Sequence, residues 1–261
     1  MAIRMKSEMI DQIDYNRIME MYKDRFKEAG DFTFLFVGNI NLEEAKPFIE
    51  TYLGGLPTIN RKENFKDIKM DIRKGAHKNV FEKQMETPKA TVFSVISGNC
   101  KFTPKNNLLM SMFSQIMDMV YIETIREKEG ASYGVTTYGE MSCYPKEEAI
   151  FQIIFDTDPA KREKMEQIVM AELQKVAKEG PRPEHLAKVK EYMLKKHLEN
   201  VKENSYWVNQ LLEYYFNNID LYTGYEKLVN EISIKDVKKF AKALLNQGNI
   251  IEVTMTSKEA K

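Results

Sequence analysis

The chain has 261 residues, 43% hydrophobic and 30% charged, which excludes a disordered or fibrous polypeptide and leaves room for one large domain or two small ones. Lys and Arg together number 39, as do Asp and Glu, so the formal net charge is zero and the basic footprint usual in a nucleic-acid binder is missing. No window approaches about 18 consecutive apolar residues, so no membrane span is expected, and Met1-Ala2-Ile3-Arg4-Met5-Lys6 holds no run of signal-peptide type.

The first 57 residues read as helix, strand, helix. Asp14 is placed to cap a helix carrying Ile18, Tyr22 and Phe26 at four-residue spacing and ending near Gly30. Phe32-Thr33-Phe34-Leu35-Phe36-Val37 reads as a strand stopped by Gly38. Asn41 caps a second helix through Leu42, Phe48 and Tyr52, with Pro47 inside it at the loss of a backbone hydrogen bond. A single strand cannot make a sheet, so residues 1–57 are expected to be the tail of a preceding domain, residues 58–75 a linker, and residues 76–261 a complete α+β domain.

From residue 76 the expected order is β-β-α-β-β-α-α-α-α-β. The strands are 78–84, 90–97, 132–138, 149–155 and 249–255. Pro104 opens a long, broadly apolar helix that ends at Gly130. Further helices follow Asp158, span 184–202 and 206–216, and follow the cap Ser233. The pattern predicts an antiparallel sheet with helices on one face. The helix and strand of 233–255 faintly echo those of 14–37.

Most catalytic chemistries find no support. There is no H-E-x-x-H or H-x-x-E-H, and His77, His185 and His197 lack the i, i+3 or i, i+4 spacing of a helical metal site, so they read as surface or helix-face residues. Cys100 and Cys143 have no activating pattern, and phosphate-binding glycine loops are missing. The aromatics Tyr206, Trp207, Tyr214, Tyr215 and Phe216 fall at helical spacing and read as core or interdomain packing. One segment is more specific. Arg126 stands in the last turn of the long helix and Tyr133 at the start of the next strand, with Gly130 allowing the sharp exit between them. A guanidinium and a phenol on rigid elements can donate to a peptide carbonyl or to the oxyanion it becomes, although Arg126 paired with Glu123 or Glu129 and a plain strand tyrosine would fit the same pattern.

The run Arg126-Glu127-Lys128-Glu129-Gly130-Ala131-Ser132-Tyr133-Gly134-Val135 resembles the Arg/Tyr segment of the pitrilysin/insulinase zinc peptidases. So do Phe34-Leu35-Phe36-Val37-Gly38-Asn39-Ile40, Leu53-Gly54-Gly55-Leu56-Pro57 and Lys178-Glu179-Gly180-Pro181, and the resemblance covers nearly the whole chain. In that family two halves close over a peptide; one carries H-x-x-E-H and zinc, the other an Arg and a Tyr for the substrate. The resemblance therefore implies the non-zinc C-terminal part of such a peptidase, beginning inside the penultimate domain. Tyr133 would stabilise the oxyanion, Arg126 and Tyr133 would bind substrate, and this chain would hold no metal or other cofactor, zinc belonging to the N-terminal half. The implied partners are that zinc-bearing half and a peptide substrate, with neither nucleic acid nor membrane. The alternative is an inert scaffold or protein-interaction domain of the same fold. The family's compartments vary, and a periplasmic location fits if the full-length protein carries a signal peptide.

Overall fold

The computed structural model describes residues 5–64, 66–128 and 134–258. The chain divides into two compact units, Met1–Asp71 with Glu203–Phe216, and Ile72–Lys202 with Asn217–Lys261.

The larger unit holds a five-stranded sheet. Its strands are β1 (Ala76–Lys83), β2 (Ala90–Asn99), β3 (Val135–Ser142), β4 (Glu148–Thr157) and β5 (Asn249–Ser257), in the spatial order β1-β5-β2-β4-β3. Three of the pairings are antiparallel, as expected, but β1 runs parallel to β5. β1 and β2 are therefore neighbours in sequence but not a hairpin. Residues 84–89 bridge two strand spacings, about 9.6 Å, and leave a slot that the last strand fills.

Paired residues share a face of the sheet. Val92, Phe155, Val135 and Thr254 make one row on the inner face; Ile96, Phe151 and Ile250 make another. The opposite face carries Phe93, Ile154, Val253 and Tyr138, with Ile154 45% and Tyr138 58% exposed. Among the described residues helices pack on the inner face: α3 (Pro104–Tyr121), α4 (Arg162–Glu179), α5 (Pro183–Asn200), α7 (Tyr225–Glu231) and α8 (Ile234–Leu245), numbered in chain order together with the three helices of the smaller unit. The Phe113 ring of α3 lies 4.7 Å from Phe151 of β4 and 6.3 Å from Phe240 of α8, so three elements meet there. By length and composition Pro104–Ile125 is apolar enough to cross a membrane, but ten α3 residues are buried here and that apolarity builds the core.

The expected cap falls in place on α8, while Asp158 caps a short 3-10 turn (Pro159–Lys161) that leads into α4. Ser233 and Asp236 make a reciprocal capping box on α8, and Asp158 accepts from Ala160 N ahead of α4. α7 is the element the sequence reading left out. Tyr225, Leu228, Val229 and Ile232 do follow a helical face, but over only two turns.

The smaller unit contains α1 (Tyr15–Phe26), α2 (Leu42–Tyr52) and α6 (Asn204–Asn217, grouped here through Phe216). Asp14 caps α1 through Arg17 N, and Asn41 caps α2 through Glu43 N and Glu44 N. Residues 32–37 form no strand and belong to no sheet among the described residues, which corrects the expected strand. With no neighbouring ladder their backbone cannot form strand hydrogen bonds. Their aromatics instead continue a ring series from α1: Tyr22 to Phe26 at 4.4 Å, Phe26 to Phe32 at 5.8 Å, Phe32 to Phe34 at 6.1 Å. The α6 aromatics are not core residues either, since Tyr214, Tyr215 and Phe216 are 49, 59 and 72% exposed. Beyond α2, residues 58–64 and 66–75 hold no helix or strand, and Glu28 fixes their start by accepting from Thr58 Oγ1, Ile59 N and Arg61 N.

Candidate functional site at the end of the central helix

α3 is fixed at both ends. Thr103 caps it through Asn106 N, with Pro104 at the first helical position. At the far end the fully buried Tyr121 donates to the Val169 carbonyl of α4 at 3.1 Å, and burial, with Glu172 nearby, pushes its hydroxyl well above the usual phenol range. Beyond Tyr121 the backbone does not stop or continue as an α-helix. It widens into a π-helical turn, Ile122–Lys128. Such turns have weaker hydrogen-bond geometry, need support from outside, and often mark functional sites.

The support comes from the start of α5. Gly180, at φ +93°, lets the chain leave α4; a Cβ there would come within 2.8 Å of Ile234 Cγ2. Pro183 then opens α5 and brings Arg182 and His185 to the π-turn. Arg182 pairs with Glu123 Oε2, and His185 Nε2 lies 3.0 Å from Glu123 Oε1. His185 is 1% exposed. Burial first, and then the Arg182 charge, lower its pKa and favour the neutral ring. His185 Nε2 meets both Glu123 Oε1 and a guanidinium nitrogen of Arg182, while Nδ1 is buried with no hydrogen-bond partner among the described residues. A cavity of about 100 Å³ opens beside these groups, lined also by Val120, Glu172 and Lys175. Ile125, 1% exposed, fixes the turn from the core side.

A second anchor holds the strand that follows. Asp118 of α3 accepts from Thr137 N and Thr137 Oγ1, both at 2.8 Å, and Ser114 Oγ lies 2.9 Å from that hydroxyl. Burial raises the Asp118 pKa against the lowering effect of the Thr137 bonds. The α3 carboxylate also satisfies a backbone N–H on the outer edge of β3.

Of the two predicted site residues, the backbone of Arg126 lies in the π-turn, three residues after Glu123. The Arg126 side chain and the whole of Tyr133 lie outside the described residues, as does Gly130, the expected helix end. Sequence reasoning missed Glu123, Arg182, His185, Asp118 and Thr137. A histidine two residues into a Pro-initiated helix was the one local signal for His185.

The histidines do not come together. His77 Nε2 lies 2.8 Å from the Lys74 carbonyl, His185 meets Glu123, and the buried His197 stacks on Tyr225 at 4.4 Å. His185 and His197 are thus helix-face residues but are not at the surface. Among the described residues no three His, Cys, Asp or Glu side chains are grouped to hold a metal, so the described residues do not fit a zinc ion.

Comparison with known proteins extends these observations. Residues 12–193 match the family described as the peptidase M16 inactive domain. A zinc protease PQQL-like protein of Arabidopsis thaliana is 22% identical over 226 residues, covering 80% of this chain and 23% of the relative. The periplasmic protease PqqL of Escherichia coli matches with a TM-score of 0.81 at 15% identity, over 97% of this chain and 28% of that one. A peptidase M16 inactive domain from Pseudomonas fluorescens matches with a TM-score of 0.71 at 18% identity, over 98% of this chain and 60% of that one. The chain thus spans about a quarter of the length of the two PqqL-type proteins.

Proposed function

The chain belongs to the peptidase M16 inactive-domain family, and on that premise we propose that it is the substrate-binding, metal-free part of a zinc peptidase. Arg126 binds a substrate carbonyl, and Tyr133 binds the scissile carbonyl and the oxyanion that forms from it. What supports the reading is that residues 126–133 run between two anchored points. The π-turn before them is tied through Glu123, and β3 after them is tied through Thr137. Donors aimed at developing charge help only when they are held in advance, and a fixed phenol there contributes about 2.7–4 kcal/mol to the transition state. The zinc of the partner half supplies the activated water.

The test is reconstitution. The chain is combined with the zinc-bearing half of the same peptidase, and cleavage of a quenched fluorescent peptide is followed for wild type and Tyr133→Phe. The expected outcome is restored cleavage by wild type and a kcat lower by roughly a hundredfold or more in the variant. Equal cleavage by the two would remove Tyr133 from the chemistry. The exposed α6 aromatics favour a second reading, a protein-interaction domain of the same fold. That reading takes over if wild type restores nothing and truncation of Trp207 and Tyr214 abolishes association of the halves.

A further inference from the structure

We infer that a polar cavity at one end of the sheet face opposite the helices holds the C-terminal carboxylate of an extended polypeptide, whose apolar side chains lie along that face. The site goes beyond the functional reading above and uses none of its residues. The cavity measures about 250 Å³ and opens where β2, β4 and β5 meet the turns beside them, with Lys74, Ser97, Lys146, Gln247 and Asn249 in its lining. That is well above the roughly 10–15 Å³ that one water molecule needs, so a carboxyl group fits. Its walls are pinned. Gly75, at φ +91°, has a backbone conformation that favours glycine; its N–H donates to Asn249 Oδ1 at 2.9 Å and its carbonyl accepts from Ile250 N at 3.1 Å. The Lys74 carbonyl is tied to His77 Nε2 at 2.8 Å, so the backbone that carries Lys74 is held. On another wall Gln247 holds both the N–H and the carbonyl of Asn99. Lys146 faces Glu148 at 3.7 Å, whereas Lys74 makes no ion pair among the described residues. The Lys146–Glu148 pair is close to neutral, which leaves Lys74 to set the sign of the cavity.

The apolar face leads into this cavity. Register sets Ser97 and Asn249 in one row, Val95 and Ile251 in the next, and Phe93, Val253 and Ile154 in the third. Successive rows are two residues apart, about 6.6 Å, which is the repeat of like-facing side chains along an extended chain. Ile154 is 45% exposed, and among the described residues the helices pack on the other face. The residues 72–74, the hairpin at Lys146 and the turn at 247–249 all line the cavity, so the apolar track stops there. What fits a track that stops is a chain end rather than a passing segment, and the end that suits an unpaired ammonium is a carboxylate, through a charge-assisted hydrogen bond.

The experiment measures binding by the 261-residue chain of a hexapeptide of alternating valine and threonine, labelled with fluorescein at its N-terminus, by fluorescence anisotropy. One form ends in a free carboxylate and the other in an amide. Wild type is expected to bind the free acid roughly tenfold more tightly than the amide, and raised salt to erase that preference. Lys74→Ala is expected to bind both forms alike, with the affinity wild type has for the amide. Ile154→Ser is expected to weaken both forms by the same factor, because it acts on the face and not on the cavity. Equal affinity of wild type for acid and amide overturns the proposal, as does a preference that survives in Lys74→Ala, or no binding of either peptide. A peptide amide carrying glutamate at its last position tests the source of the carboxylate; binding as tight as that of the free acid overturns the assignment to a chain terminus. Should Lys74→Ala not fold, Lys74→Gln removes the charge at similar length and decides in its place. Each of these results leaves the Tyr133→Phe comparison in the reconstituted peptidase untouched, so the two readings fail separately.

Discussion

α8 with β5, and α1 with residues 32–37, are written to one pattern: a capped amphipathic helix, a short turn, an apolar extended run. In the larger unit the pattern is buried. Val237, Phe240, Ala241 and Leu244 of α8 are covered, and β5 is paired on both sides. In the smaller unit it is not. Ile18, Tyr22 and Phe26 are 50 to 55% exposed, residues 32–37 have no ladder among the described residues, and the one buried residue described there is the polar Glu28. The difference teaches that patterning specifies an element while its neighbours specify a core. β5 has β1 and β2 to fall between, and that slot is what turns apolar area into stability.

The sharpest way to break this contrast is deletion of matched aromatics. Phe113→Ala should cost about 3–5 kcal/mol, since its ring is fully buried against Phe151 and Phe240, while Phe26→Ala in α1 should cost under about 1 kcal/mol. Urea midpoints measure both, and equal losses would mean that the smaller unit has a core of its own.

Matched caps give a finer test. Ser233→Ala removes a reciprocal capping box from a helix packed in the core and should cost about 1 kcal/mol of the main unfolding transition. Asp14→Ala removes the side-chain cap of α1 and should leave that transition where it is, because α1 buries nothing.

Acid titration separates the units with the smallest effects. The hydroxyl of Thr58 and the backbone N–H groups of Arg61, Gly30 and Ile59 lower the Glu28 pKa from 4.5 to about 2. Its folded-state pKa is depressed, so its contribution is complete above about 4.5 and is lost as pH falls towards 2. His185 works in a higher window. Its pKa is lowered below 6.5 by burial and by Arg182, so the neutral ring stabilises the fold above about 6.5 and that contribution falls away below it. Around that ring stand Glu184 and Lys188 of α5, Glu123 of the π-turn, and Glu172 and Lys175 of α4. Midpoints against pH should show wild type losing ground to Glu28→Gln between pH 4.5 and 2, and to His185→Gln below pH 6.5. Parallel curves for wild type and variant would remove the corresponding group from the balance.

Much of the fold was legible because it is local. Asp14, Asn41 and Ser233 cap the helices expected of them, and Asp158 caps the short 3-10 turn Pro159–Lys161 just ahead of α4 rather than α4 itself, each carboxylate, amide or hydroxyl reaching a backbone N–H two or three residues on. The candidate site was less legible. Arg126 and Tyr133 stand out through a family resemblance rather than through their own spacing. Glu123 and His185 are 62 residues apart and meet only because Gly180 turns the chain between two helices. The π-turn has no sequence signature that separates it from a continuing α-helix.

The sequence by itself determined the longer helices, several of their caps, the five strands of the sheet and the α+β class, because those follow from periodicity and from side chains reaching their own backbone. Tertiary structure decided the rest: the parallel β1–β5 pair, the absence of pairing at residues 32–37 among the described residues, and the grip of Arg182 and His185 on Glu123. Each of these depends on which distant element stands alongside, and hydrogen-bond ladders and buried charges take their energy from neighbours that local sequence does not specify.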